Sequence, residues 1–291
     1  MAKKYGINSK LIQLNCSILK IHFLRFIHMK IIADNIQVSH HKISRAIEDR
    51  DPVPIQELVK KAELKGAEAI DINSGPLSRN GEEKMVFLVN AIQDVSDLPV
   101  LLDTVNARAI KAGLLANRKT AIINGFSLEP EKLKHILPLA KEFDVDIVGY
   151  LLYSNGHVPP DSESRLNVAV DLYNAFLKAG AAKEHLIIDP VLVPTMWHQG
   201  NQHSRDVLSV IQSLPDILGF PVRTIAALSN LTTGNTSREN KILLERTYLP
   251  MLAAVGLSML MLNIFHKETT QTARICASLI GKGVFAWDDV K

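Results

Sequence analysis

The chain has 291 residues, a formal net charge of +3 at pH 7 and two cysteines, and 47% of its residues are hydrophobic. This length allows one large domain or two small ones, each with an ample core. A nearly neutral balance without a clustered basic face gives no reason to expect nucleic acid as a partner. No apolar run reaches the roughly 20 residues of a membrane-spanning helix. Because Cys16 and Cys276 form no disulfide framework, we expect a reducing compartment, the cytoplasm.

The N-terminal segment differs in charge from the rest of the chain. Its first 28 residues contain five cations and no acid. Such a segment is typical of a basic targeting or membrane-surface sequence, or of an extension outside the fold. The first convincing strand follows Met29 at once, so we expect an extension over residues 1–28 and a folded domain over residues 29–291.

From Met29 onward, short apolar runs alternate with longer runs of helical periodicity. Eight predicted strands cover residues 30–33, 67–71, 99–103, 120–124, 145–150, 185–189, 223–229 and 258–263. Residues 81–95 and 131–143 are among the predicted helices, since their apolar residues share one stripe. Strands that alternate with helices pair in parallel, and eight such units predict a (β/α)8 (TIM) barrel. A doubly wound open sheet is the second choice, but its GxGxxG fingerprint is absent.

Short polar side chains end nearly every predicted strand. They are Asp34, Asp71 with Asn73, Asp103, Asn124, Asp189, Asn230 and Asn263. A single Asp or Asn at such a place is typical of a cap or a turn. In a TIM barrel, however, the carboxyl ends of all strands meet at the rim that carries the active site. The convergence of these side chains therefore predicts a polar ligand pocket.

The chemistry of this rim restricts the ligand. It offers carboxylates and carboxamides without clustered lysines or arginines, which disfavours a phosphorylated sugar. Histidine, cysteine and acidic residues do not show metal-ligand spacing, so we expect no bound metal. The nucleophile motif GxSxG is also absent. Asp and Asn side chains suit a neutral, flat heterocycle with amino and carbonyl edges.

Five short motifs at successive strand ends carry a family resemblance. They are DINSGP at 71–76, LDTVN at 102–106, IIN at 122–124, IDP at 188–190 and LSNL at 228–231 with its continuation to Arg238. The chain resembles the pterin-binding methyltransferases, above all the enzymes that move a methyl group between tetrahydrofolate and a corrinoid protein. Methyltetrahydrofolate:corrinoid/iron-sulfur protein methyltransferase is a related enzyme. The resemblance runs from about residue 29 to the end and implies a dihydropteroate-synthase-like TIM barrel.

The resemblance also implies roles for individual residues. Asp189 would accept paired hydrogen bonds from the aminopyrimidine edge of a pterin, and Asp103 and Asn124 would hold other ring heteroatoms. Asn230 would lie beside the methyl-bearing ring nitrogen as the catalytic residue. The remaining pocket candidates are Ser229, Arg238, Asp71, Asn73 and Asn263.

The same resemblance implies a substrate, a partner protein and a direction of methyl transfer. It implies tetrahydrofolate or methyltetrahydrofolate as substrate, a corrinoid carried by a partner protein, and a homodimer. The chain departs from the family at residues 33–37 and 124–126, at Thr233 and at Asn263. We favour methyl flow from a methylcorrinoid protein to tetrahydrofolate in a demethylation pathway. Methyl flow from methyltetrahydrofolate to a corrinoid/iron-sulfur protein, as in the acetyl-CoA pathway, is the alternative.

Two further functions are less favoured. Dihydropteroate synthase shares the expected barrel, but its loop motifs after strands one, six and eight do not occur here. A non-catalytic pterin-binding subunit would use the loop around Trp197 and His198 as an interaction surface.

Overall fold

The computed structural model describes residues 28–75, 79–281 and 287. Within these residues, parallel strands form a closed barrel in chain order, with β8 beside β1. The strands are β1 (Lys30–Gln37), β2 (Ala69–Asn73), β3 (Val100–Asp103), β4 (Ala121–Phe126), β5 (Asp146–Tyr150), β6 (Leu186–Asp189), β7 (Arg223–Ala227) and β8 (Met259–Leu262). The predicted (β/α)8 barrel and all eight predicted strands are therefore confirmed.

Helices connect the strands, because parallel neighbours require a crossover. They are α1 (His41–Glu48), α2 (Val53–Leu64), α3 (Gly81–Gln93), α4 (Ala107–Ala116), α5 (Pro130–His135), α6 (Leu137–Phe143), α7 (Ser162–Lys178), α8 (Gly200–Leu218), the single turn α9 (Leu228–Leu231), α10 (Arg238–Ala254) and α11 (Lys267–Ile280). A short 3-10 helix, Lys183–His185, precedes β6.

The buried apolar residues form two clusters on the two faces of the barrel wall. The larger cluster lies between strands and helices. The smaller one, called the inner cluster below, fills the barrel and consists of Ile32, Ala69, Leu101, Ile122, Val148, Ile187, Ile225, Met259 and Met261. Side chains alternate across a strand, so the residue two positions after an inner-cluster residue also points into the barrel. The residues that follow the inner cluster in this way line the mouth of the barrel, at the carboxyl ends of the strands.

Two details of the predicted elements are wrong. The predicted helix 131–143 is interrupted at Ile136 between α5 and α6. Pro138 explains the interruption, because it has no N–H to continue the helical hydrogen bonds. The seventh strand ends at Ala227 rather than Ser229, and the chain turns into α9, where Leu228 and Leu231 are buried in the core. Ser229 and Asn230 thus lie on a helical turn above the strand.

The predicted N-terminal extension falls almost wholly outside the described residues, which begin at His28. The His28 ring lies 2.5 Å from Glu68 Oε1, and Met29 is fully buried. A domain boundary near residue 29 stays a prediction. None of the helices in the described ranges combines the length and the apolar character required to cross a bilayer.

Candidate active site

One layer of mostly polar side chains lies above the inner cluster. Each member follows an inner-cluster residue by two positions, so strand alternation directs it to the mouth. We call Asp34, Asp71, Asp103, Asn124, Tyr150 and Asp189 the mouth layer. Neighbouring strands are in register here: Asp103 pairs with Asn124, and Tyr150 pairs with Asp189. The predicted convergence of Asp71, Asp103, Asn124 and Asp189 is thereby observed.

Asn124 links distant members of this layer. Its Nδ2 donates to Asp71 Oδ1 at 3.2 Å, and its Oδ1 accepts from the Tyr150 hydroxyl at 2.7 Å. Tyr150 was not among the predicted site residues, because the predicted set comprised short polar side chains at strand ends. A usable signal was present, since Tyr150 ends its apolar run as Asp189 ends the next one.

The carboxyl groups on β1 to β3 share a buried environment. Asp71 is fully buried, and its Oδ2 has no hydrogen-bond partner among the described residues. Burial, followed by the nearby charges of Asp103 and Asp34, raises the pKa of Asp71 well above its usual value. Burial and the Asp34 charge also raise the pKa of Asp103 to about 7, against the opposing effect of Lys132. Protons are therefore retained in this part of the mouth near neutral pH.

Asp189 occupies the other side of the mouth. Burial raises its pKa to about 7, while a hydrogen bond from the Val191 N–H and the charge of Arg165 oppose this shift. Arg165 on α7 is fully buried. Its guanidinium lies 3.1 Å from His203 Nδ1 and donates to the His203 carbonyl oxygen at 3.3 Å. Arg165 thus provides a fixed positive charge that favours the ionised form of Asp189.

The turn after β7 presents Ser229 and Asn230 at the rim. Ser229 Oγ donates to Asp34 Oδ2 at 3.3 Å, which ties α9 to β1. Thr232, the first residue after α9, donates to the buried carboxylate of Glu245 on α10 at 3.1 Å. Asn230 is exposed, and its side-chain amide makes no hydrogen bond to a described residue. A fixed turn therefore carries an amide that is available to a ligand.

Three further predicted site residues, Asn73, Asn263 and Arg238, lie outside the mouth layer. Asn73 Oδ1 accepts from the Gly75 N–H at 3.3 Å. Asn263 Oδ1 accepts from Asn35 Nδ2 at 2.8 Å and from the Phe265 N–H at 3.0 Å, so this amide oxygen stabilises the loop after β8. Arg238 is the exposed first residue of α10 and, within the described chain, makes no hydrogen bond or ion pair with the mouth layer.

The electrostatics of the mouth favour hydrogen bonding to a polar ligand. In the described part of the chain, no group of three or more His, Cys, Asp or Glu side chains could hold a metal ion. Closed parallel strands with a polar layer at their carboxyl ends define a TIM-barrel protein, and this layer is its candidate site. The chain belongs to the pterin binding enzyme family, whose model matches residues 36–262.

Two comparisons add to this assignment. A methylcorrinoid:tetrahydrofolate methyltransferase of Eubacterium limosum is 21% identical over 233 residues, which cover 79% of this chain and 83% of that protein. The structure of Yersinia pestis DHPS with a pterine-sulfa conjugate superimposes with a TM-score of 0.65 at 15% identity, covering 87% of this chain and 93% of that one. The resemblance to the pterin-binding methyltransferases and the dihydropteroate-synthase-like fold are both confirmed.

Proposed function

We propose that this protein is a methyltransferase that moves a methyl group between a corrinoid protein and a ring nitrogen of tetrahydrofolate. The observation that carries the proposal is the meeting of Asp71, Asp103, Asn124 and Asp189 in one layer of the barrel mouth. These side chains belong to different strands and have complementary hydrogen-bonding groups. Membership of the pterin binding enzyme family and the name of the Eubacterium limosum relative support the same function.

The mouth layer fits a pterin ring in chemistry. The aminopyrimidine edge of a pterin carries N–H donors, and an ionised carboxylate accepts two hydrogen bonds side by side. Asp189 supplies such a carboxylate, because only its Oδ1 is engaged by a described residue. Asp71 Oδ2 is a buried polar atom without a partner, and such an atom is stabilised when a ligand or water bonds to it. Asp103 and Asn124 are the other mouth-layer side chains proposed to bond to the pterin ring.

Asn230 has a chemical reason to lie beside the reacting nitrogen. When the ring nitrogen attacks the methyl carbon, the new N–C bond forms while the methyl group leaves its carrier, and the nitrogen releases its proton. The reverse reaction requires a proton or a strong hydrogen bond at the same nitrogen. A carboxamide whose hydrogen bond strengthens in the transition state stabilises that state selectively, which raises the rate. When the partner is bound, its corrinoid supplies or accepts the methyl group.

The direction of transfer is also part of the proposal. We infer net flow from a methylcorrinoid protein to tetrahydrofolate in a demethylation pathway, as the name of the relative describes for that protein. The acetyl-CoA pathway would require the opposite flow. Genomic neighbours and a pull-down of the corrinoid partner would discriminate between the two pathways.

The decisive experiment supplies purified protein with methylcobalamin and tetrahydrofolate under anaerobic conditions. We expect methyltetrahydrofolate, measured by mass spectrometry, in amounts that exceed the enzyme concentration. Tetrahydrofolate binding without turnover would instead indicate a non-catalytic pterin-binding subunit. Production of dihydropteroate from a pterin diphosphate and p-aminobenzoate would indicate dihydropteroate synthase.

We further propose a cytoplasmic homodimer. Exposed apolar side chains on the last two helices, Leu243 and Met251 on α10 and Leu279 on α11, support a dimer face in that region. Analytical ultracentrifugation of the wild type and of a Leu243→Glu variant would test it, because a charge at the interface would shift the population to monomer.

A further inference from the structure

The amide of Asn124 is held at both ends. Its nitrogen donates to Asp71 Oδ1, and its oxygen accepts from the Tyr150 hydroxyl. An amide has a donor end and an acceptor end, and rotation by 180° exchanges them. The Asp71 carboxyl accepts through Oδ1 whether it is ionised or carries a proton on Oδ2. This bond requires the nitrogen to face Asp71, and the Tyr150 hydroxyl must then donate to the oxygen.

We propose that Tyr150 is a positioning residue of the mouth, whose hydroxyl locks the Asn124 amide in one orientation so that a bound ring meets its free N–H and lone pair in a fixed order. The identification of that ring as a pterin rests on the proposed function. The locking itself is a property of the protein without ligand.

Tyr150 is itself well fixed for this role. Its ring packs against the inner cluster, and Lys132 Nζ lies 5.8 Å from the ring centroid. Lys132 is in turn paired with Glu129 at 2.7 Å, and its side chain is only 19% exposed. Ring packing below and a cation nearby restrict the side chain, so its hydroxyl stays directed at Asn124.

The surroundings of the hydroxyl keep it a donor. Burial, with the charges of Asp103, Asp189 and Asp71, raises the pKa of Tyr150 well above its usual value. The phenol therefore retains its proton throughout the working pH range. Replacing it by Phe preserves the ring packing and removes only the donor, which leaves the Asn124 oxygen without its partner.

A double-mutant cycle on the ligand-free protein tests the lock. Unfolding is measured for the wild type, Tyr150→Phe, Asn124→Ala and the double variant. We expect the two effects to be non-additive by at least about threefold in the unfolding equilibrium constant. Tyr173→Phe is the matched control: this tyrosine lies on α7 and packs against Phe220, outside the mouth. Additive effects of Tyr150→Phe and Asn124→Ala would overturn the proposal.

Tetrahydrofolate titration of the same variants tests the consequence for binding. We expect Tyr150→Phe to weaken binding roughly 3- to 10-fold and to have no further effect in the Asn124→Ala background. Equal losses in both backgrounds, or no loss at all, would contradict positioning through Asn124. If the wild type binds no tetrahydrofolate, the proposed function fails, whereas the unfolding cycle still decides whether Tyr150 locks Asn124.

Discussion

The backbone N–H of Val191 donates to Asp189 Oδ1 at 2.7 Å, and Val191 holds the left-handed backbone angle φ = 64° to do so. A β-branched residue adopts this conformation at a cost of about 1–2 kcal/mol. The hydrogen bond orients the carboxylate and engages one of its oxygens. The site thus combines local backbone strain with a buried acid at the position where we expect the pterin edge.

Asp189→Asn should weaken tetrahydrofolate binding by about 10-fold or more, because one acceptor becomes a donor that faces a ligand donor. Asp171→Asn, at an exposed position on α7, is the matched control and should bind as the wild type does. Isothermal titration measures both. An unchanged dissociation constant for Asp189→Asn would refute the assigned role.

The same variant should stabilise the ligand-free protein, and the gain should grow as pH rises from about 4 to about 7. The folded-state pKa of Asp189 is about 7, raised from 3.8 by burial. Its contribution to stability is fully present below the unfolded pKa and is lost as pH rises through about 7. At pH 8, Asp189→Asn should therefore raise the free energy of unfolding by roughly 1–3 kcal/mol, with a smaller gain at pH 5 and none near pH 3. Denaturant melts at both pH values test this difference.

Tetrahydrofolate binding should strengthen as pH rises from 6 to 8. The ionised carboxylate of Asp189 is the form that accepts hydrogen bonds, and its pKa of about 7 leaves it mostly protonated at pH 6. The dissociation constant should be about tenfold larger at pH 6 than at pH 8. Asp189→Asn should reduce this dependence. A flat profile of the wild type would show that the protonation of Asp189 does not control binding.

Val191→Gly should stabilise the protein by about 1 kcal/mol, because glycine adopts the left-handed conformation without the steric penalty of a branched side chain. The hydrogen bond to Asp189 comes from the backbone and remains. Val170→Gly on α7 has a regular helical position and should be destabilising instead. Thermal unfolding of both variants provides the comparison. A fall in melting temperature for Val191→Gly would mean that its side-chain packing outweighs the strain.

Asn230→Ala should slow methyl transfer by about 10²-fold or more, the scale of losing one preorganised donor. Tetrahydrofolate binding should weaken much less, because the hydrogen bond acts mainly in the transition state. Single-turnover kinetics and titration separate these two effects. Asn90→Ala on the exposed face of α3 is the control. A rate within about twofold of the wild type, far below the donor-loss scale, would exclude the proposed role.

The sequence by itself determined the barrel and most of its polar mouth. Eight apolar runs, each followed by a helical pattern, bury their residues on both faces in a parallel sheet covered by helices, and the absence of a GxGxxG fingerprint favours a closed barrel over a doubly wound open sheet. The polar residues at their ends then meet because parallel strands place their carboxyl ends together. The strand-end pattern therefore predicts Asp71, Asp103, Asn124 and Asp189 as members of the mouth.

Tertiary structure alone decided which of these side chains contact one another. Asn124 bonds to Asp71 across an intervening strand, and Asn263 bonds to Asn35 from the far end of the chain. Such contacts depend on strand register and on which side chains meet across the barrel mouth, and no local pattern specifies either. The burial of the mouth carboxyl groups likewise arises only from the tertiary structure. The raised pKa of Asp189 follows from the removal of water by groups distant in sequence, and a sequence motif does not contain that environment.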